Sequence, residues 1–278
     1  MADTWVSIRE WPVLSLQRLG DTGVAKVLLN RPQKRNALSH ELIGAFLEAL
    51  DIIRGDDSLN AVITEGAGKV FSAGLDLHDV ASRYTGRLDD WDRATPSTNL
   101  YETVRTFPKI MIAQVHGYCL GGAVALMSAH DIAIAASDAQ IGMPEIIRGS
   151  FGQNVTAALT HAGISYKKFA LLQLSGRNWS GEEADRIGLV SATVAPGELA
   201  SFTETLATEI ASRHPAVLAH AKIAVHLGRE VPLPQAIEVD RLVTYRLRTA
   251  MDPTSTVDSY LQSQKGGTNV GYTRPDGE

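Results

Sequence analysis

Ile110-Met111-Ile112-Ala113-Gln114-Val115-His116-Gly117-Tyr118-Cys119-Leu120-Gly121-Gly122-Ala123 is the stretch that decides the fold. Its first six residues form an apolar run, the pattern of a buried strand. His116-Gly117 ends the run. Gly121-Gly122 then opens a small-residue segment that reads as a helix to about Ala129, and Ile132-Ala133-Ile134-Ala135 reads as the next strand. Strands alternating with helices argue for an α/β arrangement.

The same alternation continues toward both ends. Val24 to Leu29 is a short apolar run, broken by Lys26 and stopped by Asn30-Arg31-Pro32. Ser39 stands where it can cap a helix whose Leu42, Ile43, Phe46, Leu47, Leu50 and Ile53 repeat at helical spacing. Ala61-Val62-Ile63-Thr64 reads as a buried strand. Ala81 to Ser97 is polar and mixed, and reads as a mobile surface loop over the site. Ser180-Gly181-Glu182-Glu183 is a capping box opening a short helix that ends near Gly188. From Gly197 onward the pattern is helical only, with Pro215 at a helix start and Pro232 and Pro234 separating later segments. The tail beyond Lys265 is expected to fray. No internal repeat and no low-complexity tract is visible.

Composition bounds the function. A chain of 278 residues with 44% apolar content and 24 glycines suits one large domain, or one domain with a helical appendage. The formal charge of −5 offers no basic field for nucleic acid. A single cysteine, Cys119, excludes an intramolecular disulfide and fits a reducing compartment. Met1-Ala2-Asp3-Thr4-Trp5 does not begin a signal peptide, and the longest apolar runs are too short to span a bilayer. A soluble, cytoplasmic protein is expected.

Two Gly-bearing segments carry chemistry. Phe71-Ser72-Ala73-Gly74-Leu75-Asp76 admits two readings: Gly74 turns the chain so that the Leu75 N–H points into a cleft, or it is an ordinary turn with Asp76 capping a helix from Leu77. Both can hold, since a helix start supplies free N–H groups. In the second segment, Gly121-Gly122 either lets a ligand approach the free N–H of Gly122 or serves close helix–strand packing. Two N–H groups aimed at one point form an oxyanion hole, which stabilises charge on a carbonyl oxygen. That combination points to an enzyme acting on an acyl carbonyl, with a thioester favoured.

Other features weigh less. Gly66-Ala67-Gly68-Lys69 lacks the Ser/Thr and the upstream Gly of a phosphate loop, and no Gly-x-Gly-x-x-Gly occurs. Glu145, in Ile141-Gly142-Met143-Pro144-Glu145-Ile146-Ile147, is either a solvated or capping loop acid, or a desolvated carboxylate suited to proton transfer. His78, His116 and His130 lack a spaced set of partners, so no metal is expected. Ser72 sits outside any Gly-x-Ser-x-Gly elbow, and Cys119 reads as a small buried residue.

Together these segments resemble the enoyl-CoA hydratase/isomerase (crotonase) family. The likeness begins at Leu28-Leu29-Asn30-Arg31-Pro32 with Lys34 to Ala37 and continues through Phe71 to Asp76 and Gln114 to Ala123. It extends over Asp131 to Glu145 and on to Gly188-Leu189-Val190, about three-quarters of the chain in one order. It implies a spiral core of β-β-α units over residues 1–196 carrying an acyl-CoA site. A helical region over 197–278 would serve oligomerisation, as a homotrimer or dimer of trimers, and CoA contact. The thioester oxygen would lie between the N–H groups of Leu75 and Gly122. No cofactor is implied, since coenzyme A is part of the substrate.

Substrate contacts carried over by the resemblance fall at Lys34, Ala37, Ala73, Asp76, His78 and Gly121. His78 stands where many members have Lys, which weakens one phosphate contact. Tyr260 resembles an adenine-contacting aromatic, and Lys265 would meet a phosphate. The departure from the family lies in the acids. Hydratases commonly carry two glutamates, and the second is present as Glu145. The first falls at Ala125, which cannot handle a proton. Some relatives that hydrate hydroxycinnamoyl-CoA manage with the one glutamate. In this chain Gln153 or Asn154 would orient the water. Three outcomes follow: hydration or a related lyase reaction, isomerisation of a 3-enoyl to a 2-enoyl thioester, or acyl-CoA binding without catalysis.

Overall fold

The computed structural model describes residues 4–83, 95–160 and 163–250. Tyr260, Lys265, the tail beyond Lys265, residues 84–94 of the polar stretch and the side chain of Gln153 lie outside the described residues.

Strands β1 (Trp5–Trp11), β2 (Leu14–Leu19) and β3 (Val24–Leu29) open the chain, followed by α1 (His40–Arg54) and β4 (Ala61–Gly66). Then come α2 (Leu77–Arg83), α3 (Pro96–Arg105), β5 (Ile110–Val115), β6 (Tyr118–Leu120), α4 (Gly122–Ala129), β7 (Ile132–Ala136) and β8 (Gln140–Gly142). A 3-10 helix over Pro144–Arg148 leads to α5 (Gln153–Thr160), α6 (Tyr166–Ser175), β9 (Asn178–Ser180), α7 (Gly181–Arg186) and β10 (Ala192–Val194). Helices α8 (Leu199–Ala211), α9 (Pro215–Gly228) and α10 (Leu233–Ala250) complete the described chain.

One seven-stranded sheet runs β1-β2-β3-β4-β5-β7-β10. The first three strands pair antiparallel, and every pair from β3 to β10 is parallel. All six residues of β5 are buried, as a strand covered on both faces requires. Lys26, the break noticed in β3, is buried but paired: its Nζ lies 2.8 Å from Glu65 and 3.7 Å from Glu204, over the Trp5 ring. Helix α1 buries Leu42, Ile43, Phe46, Leu50 and Ile53, and the Ser39 hydroxyl accepts the Leu42 N–H at 3.2 Å.

A second, shorter ladder carries the site. Strands β6, β8 and β9 form it, and two isolated parallel bridges, Ser72 with Cys119 and Leu38 with Leu75, extend it. After β3, β4, β5 and β7, the chain leaves the large sheet, makes a short crossing in this ladder and enters a helix. That is the spiral of β-β-α units. It is invisible as a sequence repeat because the ladder members are at most three residues long.

One expectation needs revision, and one hairpin went unread. The stretch from Ala81 to Ser97 is not loop throughout. Residues up to Arg83 finish α2, and Thr95 caps α3, accepting the Thr98 N–H at 3.0 Å with Pro96 in the first turn. At the N-terminus, β1 and β2 form a hairpin on the sheet edge. β1 is mostly exposed and has a register shift between Ser7 and Arg9, which blurs its alternation.

The chain divides into compact units at 1–215 and 216–278. Helix α8, which the sequence places in the helical region from residue 197, packs on β4, β5 and β7 within the first unit. The second unit exposes Val225, Leu227, Leu233, Ile237, Leu242 and Tyr245. Among the described residues no helix is long and apolar enough to cross a membrane.

Candidate active site

The ladder explains how two backbone N–H groups come to be free. In the parallel bridge at Leu75, Leu38 donates to the Gly74 carbonyl at 2.8 Å and accepts from the Asp76 N–H at 3.1 Å. Leu75 itself is skipped, so its N–H points to the opposite side. That side is the start of α4. Gly74 has φ +92°, and a Cβ there would lie 2.5 Å from the Leu120 carbonyl oxygen and 3.2 Å from the Gly122 nitrogen. The zipper is set one step earlier: Ser72 N–H donates to Tyr118 O at 3.0 Å, and Leu120 N–H donates to Ser72 O at 3.1 Å. Gly122 is the first residue of α4, where an N–H has no partner within the helix. Neither the Leu75 nor the Gly122 N–H has an acceptor among the described residues.

Glu145, in the 3-10 helix after β8, completes the cluster. Gly121 adopts φ +55°, ψ −123°, a conformation closed to other residues, and a Cβ on it would run into Glu145 Oε1. On the other side, a Cβ on Gly152 would lie 3.1 Å from Glu145 Cδ. The carboxyl therefore sits between two bare glycine backbones, next to the residue preceding one free N–H. Its Oε2 is buried with no hydrogen-bond partner. Burial raises the acid's pKa above the ordinary glutamate value, while its own backbone N–H and the Arg148 cation act in the opposite direction. Ala125, on the first turn of α4, is buried and supplies no polar group.

The segments holding Lys34, Ala37, Ala73, Asp76 and His78 are stitched together. Ala73 N–H donates to Arg35 O at 2.9 Å, and Ser72 Oγ donates to Asn36 O at 2.8 Å. Arg31 donates to the Ala37 carbonyl at 2.7 Å and to Asp76 Oδ2 at 3.1 Å. Asp76 Oδ1 accepts the His78 N–H at 3.1 Å, so Asp76 does cap α2. Burial alone would raise the Asp76 pKa, but the Arg31 bond and charge and the His78 N–H hold it below the ordinary value. Lys34 and His78 are exposed. Asn154 commits its amide to Thr98 Oγ1 at 3.1 Å, and Gln153 begins α5. Burial pushes the Cys119 thiol far up, in keeping with a packing residue.

Sequence reasoning missed Tyr101 and Arg31. Tyr101 reaches in from α3 and donates its hydroxyl to Gly122 O at 2.9 Å. No local motif announces it. Its helical partners Leu100 and Val104, also buried, were the available signal that this segment packs inward.

Residues 20–266 match the family model described as enoyl-CoA hydratase/isomerase. The hydroxycinnamoyl-CoA hydratase-lyase of Pseudomonas fluorescens is 29% identical, over 77% of this chain and 79% of that protein. The peroxisomal Delta(3,5)-Delta(2,4)-dienoyl-CoA isomerase of Arabidopsis thaliana is also 29% identical, over 78% of this chain and 82% of its own length. Among solved structures, an enoyl-CoA hydratase from Bacillus anthracis superposes with a TM-score of 0.82 at 27% identity, covering 94% of this chain and 98% of that one.

Proposed function

The chain is an enzyme of the enoyl-CoA hydratase/isomerase family, and from that premise we propose that it adds water to a 2-enoyl-CoA thioester with Glu145 as its one proton-handling group. The observation that carries the reading is the Glu145 carboxyl, wedged between Gly121 and Gly152 beside the free N–H groups of Leu75 and Gly122.

The thioester oxygen sits between those two donors, which stabilise the enolate as water attacks C3. Glu145 takes the proton from that water and returns it to C2. One water is added, and the carboxylate ends as it began. A pKa raised by burial suits a group that must both accept and give a proton near neutrality. The family's substrates are acyl-CoA thioesters. The stitched segments 31–37 and 72–78 are the proposed track for the CoA moiety, with Lys34, Ala37, Ala73, Asp76 and His78 along it. The named activity of the Pseudomonas relative, a hydratase-lyase, fits this reading.

The buried Ala125 favours a second reading, 3-enoyl to 2-enoyl isomerisation. Glu145 would then move one proton from C2 to C4 and need no held water, and the name of the Arabidopsis relative fits it. A homotrimer or dimer of trimers belongs to the same proposal, supported by the apolar side chains exposed on α9 and α10. A cytoplasmic setting rests on the single cysteine.

Purified protein is to be assayed with 2-enoyl-CoA and 3-enoyl-CoA substrates, with Glu145→Gln alongside. Formation of 3-hydroxyacyl-CoA from the 2-enoyl ester supports hydration. Conversion of the 3-enoyl ester without hydration replaces it with isomerisation. Turnover indifferent to Glu145→Gln removes Glu145 from its role.

A further inference from the structure

We infer that Tyr101 is a positioning residue of the oxyanion site: its hydroxyl, reaching over from α3, holds Gly122 on the first turn of α4, the turn that carries Ala125 where the resemblance places the first of the family's two acids. The inference rests on the Leu75–Gly122 hole proposed above.

Gly122 needs such a restraint. It has no side chain of its own, and its N–H must stay free of any internal partner if it is to meet a substrate oxygen. The groups packed on its Cα come from elsewhere: a Cβ there would lie 2.8 Å from Leu75 Cγ and 3.0 Å from Tyr101 Oη. The phenol donates to Gly122 O at 2.9 Å. In a helix that carbonyl faces the N–H four residues on, so a side chain bonded to it lies over the turn 122–126, which includes Ala125.

The phenol is itself fixed. Tyr101 is buried, and a buried hydroxyl without a partner is costly, so this bond is strongly favoured. Ser97, one turn earlier on α3, is buried as well. From Ser97 a chain of hydroxyls continues to Thr95 at 2.7 Å and Thr98 at 2.8 Å, and ends on the Asn154 amide at 3.1 Å. Helices α3, α4 and α5 are thereby tied together around the hole. Burial first, and then the neighbouring Glu145 charge, push the phenol's pKa far up, so it is protonated and able to donate at neutral pH.

The test uses Tyr101→Phe, which keeps the ring and removes only the hydroxyl. The probe is cinnamoyl-CoA, a chromophoric enoyl thioester whose absorption moves to the red when its carbonyl is polarised. Loss of one buried hydrogen bond and a small misplacement of Gly122 are expected to lower kcat about ten-fold, with KM held within about two-fold. The red shift of the bound probe shrinks while its binding persists. Ser97→Ala, which leaves the phenol in place but opens the hydroxyl chain to Thr95 one turn away on α3, gives the same changes at smaller size and serves if the Phe variant does not fold. A red shift and kcat equal to wild type in these variants overturn the role of Tyr101 alone, as does a loss confined to KM. If the wild-type protein binds the probe with no red shift, the hole itself fails, and the role of Tyr101 falls with it.

Discussion

The seven-stranded sheet and the short ladder beside it are built on opposite principles. In the large sheet, β3, β4 and β5 are six residues each, almost entirely buried and paired in unbroken parallel register. In the ladder, strands are three residues long, two of the contacts are single bridges, and glycines with positive φ occur at Gly74, Gly117 and Gly121. Strands β4 and β5 pair with a neighbour on each side. Beside the ladder, the N–H groups of Leu75 and Gly122 have no acceptor among the described residues, and Glu145 Oε2, like Gln114 Oε1 in β5, is buried without a partner. Residues in sparsely populated backbone regions persist only where the surrounding structure fixes them, which is the part the sheet can play for Gly74 and Gly121.

The contrast is broken most sharply at Glu145. Replacing it with Gln is expected to cost about 10²–10⁴-fold in kcat with the fold intact. The same change should raise thermal stability at neutral pH. A carboxyl whose folded pKa is raised holds its proton longer in the folded state than in the unfolded one. Its stability contribution is therefore lost as pH climbs from the ordinary glutamate value through the folded one. Glutamine carries no such penalty. Melting curves of both proteins should separate above that window and coincide below it. A variant less stable than wild type at neutral pH would contradict the buried, unpartnered state of Glu145.

Gly121→Ala comes next. Its Cβ would run into Glu145 Oε1 from a backbone at φ +55°. A drop in kcat of about 10²-fold is expected from displacing the acid and the adjacent hole donor. Unchanged kinetics would show that the ladder yields more readily than its geometry implies.

Ile112→Ala probes the other region. Ile112 is fully buried at the centre of the sheet, and its truncation should cost about 3 kcal/mol of stability by denaturant unfolding. The kcat of the folded protein should not change. A large loss of kcat would mean that the sheet and ladder are not separable in this way.

Asp76→Asn lies where the regions meet. Losing the Arg31 pair and weakening the cap of α2 should cost about 2 kcal/mol at neutral pH. Asp76 has a depressed folded pKa, so its contribution is present above the ordinary Asp value and is lost as pH falls through the folded one. Stability measured against pH should show the two proteins converging in acid.

The two regions also differ in how legible they are. Apolar runs at Ala61–Thr64 and Ile110–Val115, the helical spacing after Ser39 and the box at Ser180 were all readable, and each became the expected element. β2 carried a signal too, the Leu14-Ser15-Leu16 alternation, whereas exposed β1 carried little. In the ladder, only the glycines and Glu145 could be picked out. A three-residue strand is too short to show a period. The pairings of Leu38 with Leu75 and Ser72 with Cys119 join residues tens of positions apart.

By itself, then, the sequence determined the α/β class, the main strands and helices, the family resemblance, and the presence of Glu145 and of Ala125 where the resemblance would put another acid. Those are properties of side chains, and local spacing encodes them. Only the tertiary structure decided which backbone N–H groups stay unpaired, that Glu145 lies between Gly121 and Gly152, and that Tyr101 bonds to Gly122 and Arg31 to Asp76. A free N–H is identical in every residue except proline. Its direction is set by the strand that pairs on its other side, and that strand arrives from a distant part of the chain.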